Sequence, residues 1–265
     1  MPLFPLTLLA ASIALGQPVE GPNTVVVDRA EDGWRLLVDG EPYFVRGMNW
    51  GYMPIGENYT YDFWGQHPDV VQDALDTEME LLRGMGVNSI RQFPDIPPEW
   101  VEYIYDTYGI TTMMNHTMGR YGFSVDGVWR PSTNYADPRT REVIKADIIA
   151  MAERYKDTRG ILMWMLGNEN NYGLSWSSFE IENLPKEERH RERAKSLYSM
   201  YGEVIDAIHA VDDKHPVGIA NGDLQYSDLT SLPKSFIQLT SLSCRFCTRS
   251  SAPTRTTPRR AAKTT

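Results

Sequence analysis

The chain has 265 residues, 42% of them hydrophobic and 23% charged. That is enough apolar material for a large core and is close to the length of about 250 residues typical of a β/α barrel. The formal net charge of -9 and the pI near 5.1 exclude nucleic acid and anionic membrane as natural partners and leave neutral polyols open.

Residues 6–15 form an apolar run too short to span a bilayer. Ala14 and Gly16 sit at cleavage spacing, so 1–16 reads as a secretory signal peptide, although no Lys or Arg precedes the run. The expectation is a secreted or periplasmic protein with no stable membrane insertion. Residues 17–42 read as a short β entry segment. Residues 25–27, 34–38 and 43–45 are β-prone, and Asp39-Gly40 is a hairpin turn signal between the last two.

Phe44-Val45-Arg46-Gly47-Met48-Asn49 is the first candidate barrel strand. A helix follows, with Asp69 as cap, Gln72 in capping-box position, and Val71, Leu75, Met79 and Leu82 on one face. Residues 87–91 make a second strand. Trp100, Ile104 and Tyr108 line a second helix, stopped by Gly109, and residues 110–116 make a third strand. Asp137-Pro138 opens a third helix whose buried face runs Ile144, Ile148, Met151, Tyr155. Residues 161–166 are continuously apolar, as a strand buried on both faces should be. Leu197, Tyr201, Val204 and Ile208 line a fourth helix, and residues 217–221 make a fifth strand. This alternation predicts a parallel sheet with helices outside it: an incomplete (β/α)₈ TIM-barrel type of about five βα units over 43–228. No Gly-x-Gly-x-x-Gly, phosphate-binding loop or Gly-x-Ser-x-Gly elbow occurs, which disfavours a nucleotide-binding sheet and an esterase.

Near Leu229 the composition changes. Residues 229–265 hold seven Lys and Arg and no acid, so removing that +7 from -9 leaves -16 for residues 1–228. The segment is rich in Ser, Thr, Pro and Arg and shows no strand or helix period. It is either a natural basic, disordered tail or the product of a frameshift. The two cysteines, Cys244 and Cys247, lie within it without a second ligand pair, so no metal or organic cofactor is expected.

Function in α/β folds collects at the carboxyl ends of the strands. Those ends are Asn49-Trp50, Arg91, Asn115-His116, Gly167-Asn168-Glu169-Asn170 and Asn221-Gly222-Asp223. A carboxyl at the mouth of a buried strand is partly desolvated, which suits Glu169 to hold and donate a proton. Glycoside cleavage needs such an acid and a second carboxylate. Asn168 would hold a neighbouring hydroxyl, Arg91 and His116 would orient carboxylates and hydroxyls, and Asn49 and Asn170 extend the polar rim. Trp50, Tyr172, Trp176 and Trp129 are candidate stacking surfaces for pyranose rings.

Phe44-Val45-Arg46-Gly47-Met48-Asn49, Gly86-Val87-Asn88-Ser89-Ile90-Arg91, Tyr105-Asp106-Thr107-Tyr108-Gly109-Ile110 and Trp164-Met165-Leu166-Gly167-Asn168-Glu169 resemble, in order, the barrel of glycoside hydrolase family 2, which includes β-galactosidases, β-glucuronidases and β-mannosidases. The resemblance implies a retaining hydrolase of β-linked sugars. In it Glu169 is the acid/base, Asn168 its hydroxyl-binding neighbour, and Arg91 and His116 supporting residues. The family's nucleophile is a Glu after strand seven, and the resemblance ends after strand five. Asp223 is a conceivable but badly placed substitute. The alternative is a catalytically dead or carbohydrate-binding barrel lacking its nucleophile.

Overall fold

A computed structural model describes residues 21–31, 33–172, 174–222, 226–229 and 236–240. The expected signal peptide over 1–16, Asp223 and the cysteine pair lie outside them.

Strands β1 (Val25–Ala30), β2 (Gly33–Val38) and β3 (Glu41–Pro42) form a small antiparallel sheet. Asp39 and Gly40 turn the β2–β3 hairpin with φ of 51° and 85°, the two left-handed residues that a tight hairpin requires. The main sheet begins at β4 (Gly47–Asn49). Helix α1 (Pro68–Gly84) buries Val71, Leu75, Met79 and Leu82 as its period demands. Its cap is His67 rather than Asp69. Pro68, with its fixed φ and missing N–H, starts the helix two residues earlier, and the His67 ring accepts from the Asp69 amide at 3.3 Å. Asp69 lies instead in the first turn, where its charge complements the helix dipole.

Next come β5 (Ser89–Gln92), α2 (Pro98–Tyr108) with left-handed Gly109 at its end, and β6 (Thr111–His116). A hairpin of β7 (Phe123–Val125) and β8 (Val128–Arg130) follows. Its Asp126-Gly127 turn, at φ 51° and 76°, repeats the signature of Asp39-Gly40 in strands too short to show a period. Helix α3 (Pro138–Tyr155) starts as its sequence dictates, with Asp137 accepting from the Thr140 amide at 2.7 Å. Then come β9 (Ile161–Leu166), a single turn α4 (Phe179–Glu182), α5 (Lys186–His209) and β10 (Val217–Asn221). A last strand, β11 (Phe236–Thr240), runs parallel to β10 over five residue pairs, beginning at Val217↔Phe236. It falls where composition alone offers no strand, because five β-prone residues are diluted by the Ser, Thr and Arg around them.

The six strands stand in the order β4-β5-β6-β9-β10-β11, every neighbouring pair parallel. Strand order never reverses, so there is no switch point of the doubly wound kind. The sheet winds one way, as a barrel does, and makes part of one.

Its outer face carries Ile90, Met114, Trp164, Leu166, Val217 and Ile219 into a core shared with the helices. On the inner face Met113, Leu162, Met163 and Met165 pack with Val25, Leu36 and Val38 of the small sheet. Leu162 and Met163 are consecutive yet share that face, because the β6–β9 register slips between Thr112 and Met113. The slip restores period two, so Met163 and Met165 point inward and Trp164 and Leu166 outward. Asn23 ties the small sheet to the amino end of the barrel strands: its Oδ1 accepts from Gly160 N (2.7 Å), and its Nδ2 donates to Asp39 (2.7 Å) and Tyr105 (2.9 Å). The carboxyl ends stay clear of that attachment. No described helix is long and apolar enough to cross a membrane.

Candidate active site

The chain leaves β9 through two left-handed residues, Gly167 at φ 79° and Glu169 at φ 61°. The ladder continues through them: Gly167 N donates to His116 O at 2.8 Å, and Glu169 N donates to Ala220 O at 2.8 Å. Only glycine fits the first position. A Cβ there would lie 2.2 Å from Tyr201 Oη and 2.9 Å from Asn170 Oδ1. Glu169 is not glycine, and a left-handed residue with a side chain costs about 1 kcal/mol or more, so its neighbours must hold it.

Asn170 is the principal holder. Its Oδ1 accepts from Asn168 N at 2.7 Å, and its Nδ2 donates to Thr117 O (3.0 Å) and Tyr135 Oη (2.8 Å). Tyr135 in turn donates to Met118 O at 2.7 Å. Burial pushes the Tyr135 hydroxyl well above its ordinary range, which keeps it a proton donor. With 2% exposure, Asn170 has no surface left for a ligand. Its expected place in the polar rim is corrected to a buried anchor of the Glu169 turn.

Arg91 crosses the mouth. Its Nε donates to Asn115 Oδ1 and its Nη2 to Asn168 Oδ1 at 2.9 Å. Burial pulls the guanidinium below its ordinary value, and the charges of Tyr121 and Glu169 pull it back up, so Glu169 lies within electrostatic reach of Arg91. Asn115 also donates to Gly167 O at 2.9 Å. The Asn168 amide is held at both ends: its oxygen by Arg91 and its nitrogen by Tyr121 Oη. With its orientation fixed, the second N–H of Asn168 has no hydrogen-bond partner among the described residues. Arg91, Asn168 and Glu169 are therefore brought together as the sequence suggests, joined by Asn115 and Tyr121.

His116 is not part of this group. Its Nδ1 accepts from Met118 N at 3.1 Å, which leaves the ring hydrogen on Nε2 to be donated to Asp147 Oδ2 on α3 at 2.8 Å. That hydrogen bond holds the Asp147 carboxyl below its usual range. Adjacent strand residues face opposite ways, so Asn115 and His116 cannot both face the mouth. Period two, counted back from the inward Met113, selects Asn115.

Two further expectations are corrected. The Trp50 ring sits against Phe63 and Trp64, each centroid 6.2 Å away, on the outer core. Trp176 is 5% exposed within the same core. Aromatic rings flanked by apolar helices gain more from burial than from waiting for a ligand. Tyr172 does stand at the mouth, half exposed. Its hydroxyl donates to Gly222 O at 2.6 Å, and its ring lies over Gly222, where a Cβ would approach it to 2.3 Å. Asn49 is exposed at the end of β4. Among the described residues, two carboxylates stand three positions past the end of a parallel strand: Glu169 after β9, and Asp95 after β5, which lies within electrostatic reach of Arg154 on α3 and of Asp62.

A one-way parallel sheet with helices outside it and polar groups gathered at its carboxyl ends defines the chain as part of a TIM-barrel domain. Residues 61–230 match the model of the glycosyl hydrolases family 2, TIM barrel domain, so the chain belongs to that family. It is 25% identical over 142 residues to a β-galactosidase of Lactococcus lactis subsp. lactis (strain IL1403), a match covering 52% of this chain and 12% of that one. Among solved structures it resembles the β-mannanase of the blue mussel Mytilus edulis with a TM-score of 0.53 and 15% identity, covering 75% of this chain and 63% of that one. It also resembles Bacteroides uniformis β-glucuronidase 2, with a TM-score of 0.51 and 13% identity, covering 78% and 21%. These structural likenesses show the fold. The chain spans about an eighth of the length of the β-galactosidase it matches.

Proposed function

We infer that this chain carries the acid/base half of a retaining glycosidase site acting on β-linked sugars, with Glu169 as proton donor and acceptor. The observation that carries it is the placement of Glu169 on a left-handed turn at the mouth of β9, beside an Asn168 whose amide is fixed by Arg91 and Tyr121. In the first step the Glu169 carboxyl gives its proton to the glycosidic oxygen as the C1–O bond breaks and the alcohol leaves. The displacement needs a second carboxylate that the strand ends described above do not supply; it would attack C1 from the opposite face and form a glycosyl ester. In the second step the Glu169 carboxylate takes a proton from water, whose oxygen bonds to C1 and releases the ester. Asn168 donates its remaining N–H to the hydroxyl next to C1, a bond that strengthens as the ring flattens toward the transition state. Arg91 keeps a positive charge within electrostatic reach of Glu169 and holds Asn115 and Asn168 in place beside it.

One observation favours a second reading, in which the chain binds sugar without cleaving it: the other described carboxylate just past a parallel strand, Asp95, is in electrostatic reach of Arg154 and Asp62, whereas Glu169 is in reach of Arg91. Hydrolysis of 4-nitrophenyl β-glycosides by the full chain separates the two. The first reading expects turnover that Glu169→Gln lowers by about two to four orders of magnitude. Turnover that survives the substitution sinks the role given to Glu169, and sugar binding without turnover supports the second reading.

A further inference from the structure

The β7–β8 hairpin has no part in the chemistry above, yet the segment leading into it reaches the mouth through Tyr121, and a second large exposed ring, Trp129, stands on β8. Tyr121 is 63% exposed and Trp129 60%. Neither is loosely hung. Tyr121 Oη accepts from Asn168 Nδ2, and the Arg120 guanidinium covers the ring at 5.5 Å from its centroid. The Trp129 ring lies on the backbone of Gly122, the residue next to Tyr121. A Cβ on Gly122 would come within 2.4 Å of that ring, so the close approach needs the glycine.

The hairpin is itself anchored. Val125 is buried, and Arg139 of α3 binds Asp126 through both carboxylate oxygens, with Nη2 to Oδ1 at 2.6 Å and Nε to Oδ2 at 3.1 Å. Its two faces differ. Phe123, Val125, Val128 and Arg130 share the face over α3, where they line a cavity of about 440 Å³. Ser124 and Trp129, a cross-strand pair, take the other face and are exposed. A strand pair that holds an indole face in water, packed on the glycine next to the tyrosine that fixes the Asn168 amide, is suited to contact with a flat, partly apolar ligand, and the C–H face of a pyranose is such a surface.

The geometry points to a second sugar subsite on this hairpin: Trp129 stacks on the unit β-linked to the sugar held at Glu169, and Tyr121 positions Asn168 between the two. The subsite rests on the sugar-site reading given above. It assigns this mouth to disaccharides and longer β-linked chains in preference to single sugars.

Calorimetric titration of the full chain tests it. The probes are the methyl β-glycosides of galactose, glucose, mannose and glucuronic acid, each compared with its β-1,4-linked disaccharide. In the natural sequence the disaccharide of the preferred sugar should bind more tightly than its methyl glycoside. Trp129→Ala should weaken the disaccharide by about threefold to tenfold and leave the methyl glycoside unchanged, and Trp129→Phe should restore most of the loss. Tyr121→Phe should weaken both probes together, because it frees the Asn168 amide that serves the first unit. Trp129 is exposed, so the variant should keep its melting temperature. If Trp129→Ala leaves the disaccharide advantage intact, or weakens both probes equally, the subsite is overturned while the Glu169 site stands. If none of the probes binds to the natural sequence, the sugar-site reading and the subsite fall together.

Discussion

At the scale of single residues, the turn around Glu169 sets stability against placement. Glu169 sits at φ 61°, where a residue with a side chain is strained. Replacing it with glycine should therefore leave stability unchanged or raise it by up to about 1 kcal/mol in urea unfolding, although it removes the acid. A matching loss of stability would mean that Glu169 is held by contacts rather than strained by them. Gly167→Ala should do the opposite and cost about 2–3 kcal/mol, because its Cβ meets the buried Tyr201 hydroxyl at 2.2 Å in a left-handed conformation. Asn170→Ala takes away the partner of the Asn168 backbone N–H and should cost about 1–3 kcal/mol. At this scale the sequence was only partly legible. Reading strand ends found Arg91, Asn168 and Glu169, whose types and order are distinctive. It mistook His116 for a mouth residue because it did not count the period of two that gives the place to Asn115. Trp50, Trp176 and Asn170 were misplaced because a loop residue's type does not say whether it turns inward. Tyr121 had no signal, since its role depends on a contact 47 positions away.

At the scale of elements, the joint between β9, α5 and β10 is the most heavily committed part of the fold. Asp212 accepts from Trp164 Nε1 and is bonded to His215 Nδ1, both at 2.7 Å, and the Asp212 and His215 side chains are fully buried. Burial pushes the Asp212 carboxyl up. The hydrogen bond and charge of His215, with the Lys214 amide and the Trp164 indole, outweigh it and hold the carboxyl below its ordinary value. A depressed carboxyl stabilises the fold fully above its unfolded value of about pH 4, and that contribution is lost as pH falls through the lower folded value. Unfolding midpoints followed from pH 7 downward should show this acid limb, and Asp212→Asn should flatten it while costing about 1–3 kcal/mol at pH 7. An unchanged limb in the variant would place the acid sensitivity elsewhere. The helices and long strands were legible because a buried stripe at period 3.6, or an unbroken apolar run, comes from burial and survives in the sequence. The β7–β8 hairpin carried its Asp-Gly signal between strands of three residues, too short for periodicity to support it.

At the scale of the whole molecule, parallel strands in sequential order bring residues from β5, β6 and β9 to one end, while the small antiparallel sheet occupies the other. Asn23 joins these two parts through three hydrogen bonds while only 3% exposed. Asn23→Ala should loosen β1 and β2 and leave the site intact. Hydrogen exchange should show faster exchange in β1–β2 and at Gly160, and none of it at the carboxyl end of β9. Acceleration at both ends would mean the small sheet also braces the mouth. The central claim is that Glu169 supplies the proton to a departing sugar alcohol. It is tested most directly by kcat/KM for aryl β-glycosides of graded leaving-group acidity, compared between the natural sequence and Glu169→Gln. A phenyl leaving group needs the proton and a 2,4-dinitrophenyl group does not. The account predicts a loss of about two to four orders of magnitude for the phenyl glycoside and little loss for the dinitrophenyl one. Equal losses for both, or no loss for either, would contradict it.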